Sequence, residues 1–165
     1  MPISDYIAGL RARVGHNLIL VPCAAGIVRD DDGRVLLHRR SDTGTWGVPG
    51  GSLDPDEQPA QACAREVYEE TGLIVRPTTL LAVETHPMTS YPNGDLVQAV
   101  ASVFACEVIG GRLECRDGES TELAFFAVDE IPPGDHGDPF QTGVFEPEDS
   151  RAMFAWDEQW LAELV

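Results

Sequence analysis

"GGSLDPDEQPAQACAREVYEETGL", residues 50–73, decides the fold of this chain because its chemistry changes halfway along. Up to Gln58 it is rich in Gly, Asp and Pro, the residues of a loop. From Pro59 onward Ala60, Cys63, Ala64 and Val67 recur at spacings of three and four, which is the apolar face of a helix. Pro59 suits a first helical turn, Asp56 an N-cap, and Gly72 followed by Leu73 a left-handed C-terminal glycine with its apolar contact. The expected element is a helix over roughly 57–71, seated on a loop and fastened to a core by its alanine-rich face.

Glu66, Glu69 and Glu70 stand at i, i+3 and i+4 on that helix, so their side chains are expected on a single patch beside Val67. Like charges so placed cost a few tenths of a kcal/mol per pair, and more when buried. A cation is the natural remedy. Oxygen-only donors favour a hard divalent ion, and magnesium takes a few carboxylates together with water and substrate phosphate. Gly50 and Gly51 let bare backbone come close, where the Gly50 carbonyl could complete the coordination. Arg65, next to the acids, pairs with Glu69 at i+4 or reaches back to Glu57, a bracing role.

The rest of the chain narrows the function. Its 165 residues fit one domain, residues 1–165, and 43% hydrophobic content is enough for a core. A net charge of -17 with only 11 Lys and Arg argues against a nucleic-acid duplex or an anionic membrane as partner. A small phosphorylated ligand remains open if a cation bridges it to the acids. Cys23, Cys63, Cys106 and Cys115 have no zinc-type spacing and read as buried thiols. With no apolar leader or spanning run, the expected compartment is the cytoplasm.

A short helix is expected over 4–14, ended near Gly15. "LILVPCAAGIVRD" (18–30) and "RVLLHRR" (34–40) flank an Asp-Gly turn and read as an antiparallel hairpin. Further strands are expected in 73–86, 95–108 and 123–128, with a turn at "YPNGD" (91–95) and a reversal at Gly110–Gly111. After a Gly/Pro/Asp-rich stretch over 133–149, Met153, Trp156, Trp160 and Leu164 predict a closing helix over about 150–164.

The segment 51–73 resembles the signature of the Nudix hydrolases: Gly51, five residues, Glu57, seven residues, Arg65, Glu66, Val67, one residue, Glu69, Glu70, one residue, Gly72, Leu73. A chance match in a chain of this length has a probability below about one in ten million, so it outweighs the plain reading of a solvated acidic face. Leu36–Arg40 and Trp46–Pro49 look like the lead-in strand and approach loop of that family. The resemblance implies an α/β fold, an α/β/α sandwich around a mixed central sheet, with residues 50–73 as a loop–helix–loop metal platform. It also implies hydrolysis of a nucleoside diphosphate linked to another moiety, by water attack on phosphorus, with Mg2+ or Mn2+. Homodimers are common in that family. A non-catalytic nucleotide-sensing domain of the same fold is the alternative.

On this reading Glu69 and Glu70 are metal ligands, Glu66 a ligand or the base, and Gly50 a carbonyl donor. Arg65 and Glu57 complete the catalytic signature. Members of the family often recruit a further acid from a later loop, for which Glu119 and Glu122 both qualify, Glu119 ranking slightly higher. Substrate contacts are expected from Arg39 or Arg40, only one of which can face a given side of a strand. Trp46 either stacks on a base or packs on the core. Tyr91, eighteen positions after Leu73, lies near a tyrosine of family members acting on dinucleoside polyphosphates, although the turn accounts for it as well. Pro87 and Pro92 do not match an ADP-ribose proline cleanly, and no NADH-type stretch is present. The four histidines fall at no metal-ligand spacing and enter no mechanism.

Overall fold

The computed structural model describes residues 4–116, 118–132 and 156–162. In chain order these form α1 (Asp5–Val14), β1 (Ile19–Val28), β2 (Val35–Arg40), β3 (Trp46–Gly47), β4 (Gly50–Ser52), α2 (Pro59–Thr71), β5 (Leu73–Thr85), β6 (Thr89–Ser90), β7 (Leu96–Gly111), β8 (Ser120–Phe126) and α3 (Gln159–Ala162). Of the closing helix expected over about 150–164, residues 156–162 are described; only Gln159–Ala162 are helical, and Glu158 just before them is tied to Arg76 of β5 at 2.6 Å.

The architecture is α/β with a mixed sheet. Strand order is β4-β1-β7-β5, with β6 added to β7; β1 runs parallel to β7 and the other pairs are antiparallel. A smaller antiparallel sheet has the order β3-β2-β8. The expected β1–β2 hairpin is therefore corrected. Its two strands meet only at the Arg29–Val35 bridge and then diverge into different sheets. Val35, Leu36, Leu37 and His38 are all buried, so β2 needs cover on both faces and cannot lie half-solvated in a local hairpin.

That cover comes from two apolar clusters. Leu36 joins Ala60, Cys63, Ala64 and Val67 of α2 with Ala24, Val28, Val75 and Phe104, so the predicted helix face is buried. Val35 and Leu37 join Ile27 and Val103, with Trp46 and Phe126 at the margin. Ala residues dominate the face of α2, which lets the helix sit close to the sheet and places its acids against β4 instead of above a thick core.

The helix starts two residues later than the spacing suggests. Its N-cap is Gln58, whose backbone N–H donates to the Gln61 side chain at 3.4 Å, while Asp56 adopts a left-handed conformation within the preceding turn. Pro59 at the first helical position fixes this start, since it offers no N–H for an earlier cap to satisfy. The far end is as expected: Gly72, with φ 73°, donates its N–H to Tyr68 O. Cysteines depart partly from expectation, since Cys115 is exposed and Cys23 and Cys106 are only partly buried. No helix among the described residues is long and apolar enough to cross a membrane.

Candidate active site

The platform is organised by Arg65. Its Nε and Nη2 donate to the two carboxylate oxygens of Glu57 at 2.7 and 2.9 Å, and Nη2 also donates to Ser52 O at 3.0 Å. Nη1 donates to Glu66 at 2.8 Å and Glu69 at 3.1 Å. One planar side chain thus joins β4, the loop and α2, a fork that lysine could not reproduce. Burial opposes its charge, but the bonds and charges of Glu57 and Glu66 outweigh that and hold its pKa above the ordinary value.

Glu66 is the perturbed acid. Burial, with the negative charges of Glu69 and Glu119 added, overcomes the pull of Arg65 and pushes its pKa up to about 7. Gly51 makes room for it. A Cβ at position 51 would stand 2.5 Å from Glu66 Oε1, closer than any real Cβ approaches an oxygen, so only glycine leaves that carboxylate its place.

Glu70 lies elsewhere. Instead of sharing one patch with Glu66 and Glu69, it is 2% exposed, and its Oε2 accepts the backbone N–H of Gly50 at 2.9 Å. This corrects the single-patch expectation. Helical spacing sets the angle at which side chains leave α2, but β4 intercepts Glu70 and draws its carboxylate inward. Among the described residues no group of three or more His, Cys, Asp or Glu stands close enough together to hold one ion. The cation that Glu66 and Glu69 both face is the Arg65 guanidinium. The donor types still fit a hard divalent ion by their chemistry, being all oxygen and crowded in charge, with Gly51 leaving the Glu66 carboxylate its room.

The remaining candidates separate. Glu119 is near enough to act on the Glu66 charge, whereas Glu122 is half-exposed and faces Arg39 at 3.6 Å. Arg39 also donates to Gly44 O at 2.9 Å and is exposed. Arg40 is partly buried and held on Asp42 at 2.6 Å; that bond raises its pKa first, and the charges of Tyr91 and Glu70 add to it. Tyr91 is exposed in the turn, its N–H donating to Asp95 O. Trp46, partly buried, packs edge-on against Phe126 with ring centroids 4.9 Å apart at the margin of the second apolar cluster.

Sequence reasoning missed His38 and Ser120. His38 is 5% exposed and Ser120 4%; His38 Nδ1 lies 2.8 Å from Ser120 Oγ and 3.6 Å from Glu70 Oε1. The signal was there in β2, since alternation puts His38 on the same side as Leu36, which belongs to the α2 cluster. A polar residue two positions from a core leucine needs a buried partner.

The NUDIX domain family model matches residues 20–144. A MutT-like protein of Streptomyces ambofaciens is 41% identical over 107 residues, covering 65% of this chain and 64% of that protein. An ADP-ribose pyrophosphatase of Methanocaldococcus jannaschii is 34% identical over 121 residues, covering 71% of this chain and 69% of that one. Among solved structures, that of a MutT NUDIX hydrolase from Burkholderia pseudomallei superposes with a TM-score of 0.62 at 27% identity, over 76% of this chain and 96% of the other.

Proposed function

This chain belongs to the NUDIX domain family, and we propose that it is a divalent-metal-dependent pyrophosphohydrolase of small nucleotides. Its substrate on this reading is a nucleoside triphosphate or a nucleoside diphosphate joined to another group, such as ADP-ribose. The observation that carries it is the arrangement of Glu66: a carboxylate pushed up to about 7, beside Gly51, with Glu69 and Glu119 acting on it. A fold gains nothing by burying like charge there; a site that neutralises it on binding does.

Glu66, Glu69 and Glu70, with the Gly50 carbonyl, would hold Mg2+ or Mn2+ only by turning together on the ion from the separate positions they take without it. The ion supplies neutralisation of phosphate oxygens and makes phosphorus more open to attack. The chain does the rest. Arg65 holds Glu57 and the loop in register, and so keeps Gly51 against Glu66. If Glu66 is not itself a ligand, its carboxylate, pushed up to about 7 by burial first and by Glu69 and Glu119 after it, suits the acceptance of a proton from the attacking water. Arg40, lying where Tyr91 and Glu70 act on it, is better situated than the exposed Arg39 to meet substrate phosphate. The relative named ADP-ribose pyrophosphatase supports including ADP-ribose in the first assays.

The deciding experiment measures product formation with Mg2+ or Mn2+ over a nucleotide panel, with products resolved to locate the cleaved bond. Turnover of at least one member is expected. Tight binding of a nucleotide with no turnover of any member would instead identify a sensing domain.

A further inference from the structure

The segment that carries Glu119 is held at three points. Ser41 N–H donates to Glu119 O at 2.7 Å, Thr121 Oγ1 donates to Arg39 O at 3.2 Å, and Ser120 Oγ meets His38 Nδ1 at 2.8 Å. Two of the three are backbone-anchored; the third is a side-chain pair sealed from water. The register explains why it is needed. Arg39 opposes Glu122 and Arg40 opposes Ser120, so Thr121 has no register partner and β8 carries a bulge. A bulge re-aims the residues on either side of it. Glu119 stands just before this bulge, near enough to act on the Glu66 charge.

His38 connects this bulge to Glu70. The two sheets come together at that point: Glu70 takes the Gly50 N–H of β4 from one sheet, and His38 of β2 from the other lies 3.6 Å from its second oxygen.

We propose that His38 is a positioning residue of the metal site, which through its Nδ1 contact with Ser120 holds Glu119 beside Glu66 while bracing Glu70 from the opposite sheet. It touches neither substrate nor ion. The proposal rests on the pyrophosphohydrolase reading and its oxygen-ligand site.

The test is Mn2+ binding by the full chain without nucleotide, followed by electron paramagnetic resonance. Ser120→Ala and His38→Ala should each weaken Mn2+ roughly tenfold, as loss of a residue orienting a ligand does. The double variant should be no weaker than the worse single one, because both break one link. His38→Asn, whose side-chain amide N lies near the place of imidazole Nδ1, should recover most of the affinity. Ser120→Ala removes one oxygen and is the variant that keeps the test sound if His38→Ala fails to fold. Unchanged Mn2+ affinity in Ser120→Ala, or additive losses in the double variant, overturns the positioning role and leaves the metal reading standing. Absence of Mn2+ binding by the unsubstituted chain overturns the metal reading and the role that rests on it.

Discussion

Glu70 and Gly50 are joined by a 2.9 Å hydrogen bond from the Gly50 backbone N–H to Glu70 Oε2, which ties the last turn of α2 to β4. Glutamine at 70 keeps one side-chain oxygen for that N–H while an NH2 replaces the other oxygen and the charge is lost. Glu70→Gln should therefore fold with a melting temperature close to that of the parent and lose turnover by about a hundredfold or more. Steady-state kinetics beside thermal denaturation checks this, and near-normal turnover would refute a metal role for Glu70.

Arg65 serves Glu57, Glu66, Glu69 and Ser52 at once. Arg65→Lys keeps the charge but not the fork, leaving the nearly buried Glu57 half-served. A loss of about 1–3 kcal/mol is expected in urea denaturation, from the range for breaking a charged hydrogen bond. Parent-like stability would mean that the bidentate geometry contributes nothing.

Glu66 sets a pH dependence. Its folded pKa, about 7, lies above the ordinary 4.5, so the folded chain holds the proton more tightly than the unfolded one. The contribution is fully present below about pH 4.5 and is lost as pH rises through about 7. It amounts to at most about 3 kcal/mol. In EDTA, unfolding free energy should fall between pH 5 and 8, and Glu66→Gln should flatten that fall. Mg2+ should raise the melting temperature more at pH 8 than at pH 5, because it binds the ionised acid. A melting temperature indifferent to Mg2+ at pH 8 would contradict the metal reading.

Trp46 is tied to Phe126 and the second apolar cluster. Trp46→Phe removes one ring of a partly buried side chain and should cost about 1–2 kcal/mol, as partial loss of core volume does, while leaving KM for the nucleotide within about twofold. A KM raised tenfold at unchanged stability would return Trp46 to the substrate site.

Legibility in the sequence followed the range of the interactions involved. The loop, the helix and the Glu57–Arg65 brace all lie within residues 50–73, the two braced residues only eight positions apart, so local spacing announces them. The split of β1 from β2 was not legible, because β1 finds its parallel partner in Val97–Cys106, far along the chain, and the Asp-Gly turn says nothing of it. For Glu70 the helical period gives a direction but not the strand that crosses it. The place of His38 depends in the same way on a distant residue, its partner Ser120 being 82 positions away.

β5 ends the larger sheet, thirteen residues long with one side unpaired by any described strand. Such a rim would ordinarily invite a second chain to add itself as a further strand. Pro77 removes one donor from it, and the register shifts at Ile74/Val75, Pro77/Thr79 and Leu80/Ala82 break its repeat into short pieces. Arg76, bound to Glu107 and Glu158, sets charge along the same strand. These irregularities and charges leave only short, broken runs of this rim for a further strand to pair with, a feature of the sheet that owes nothing to the acids of the site.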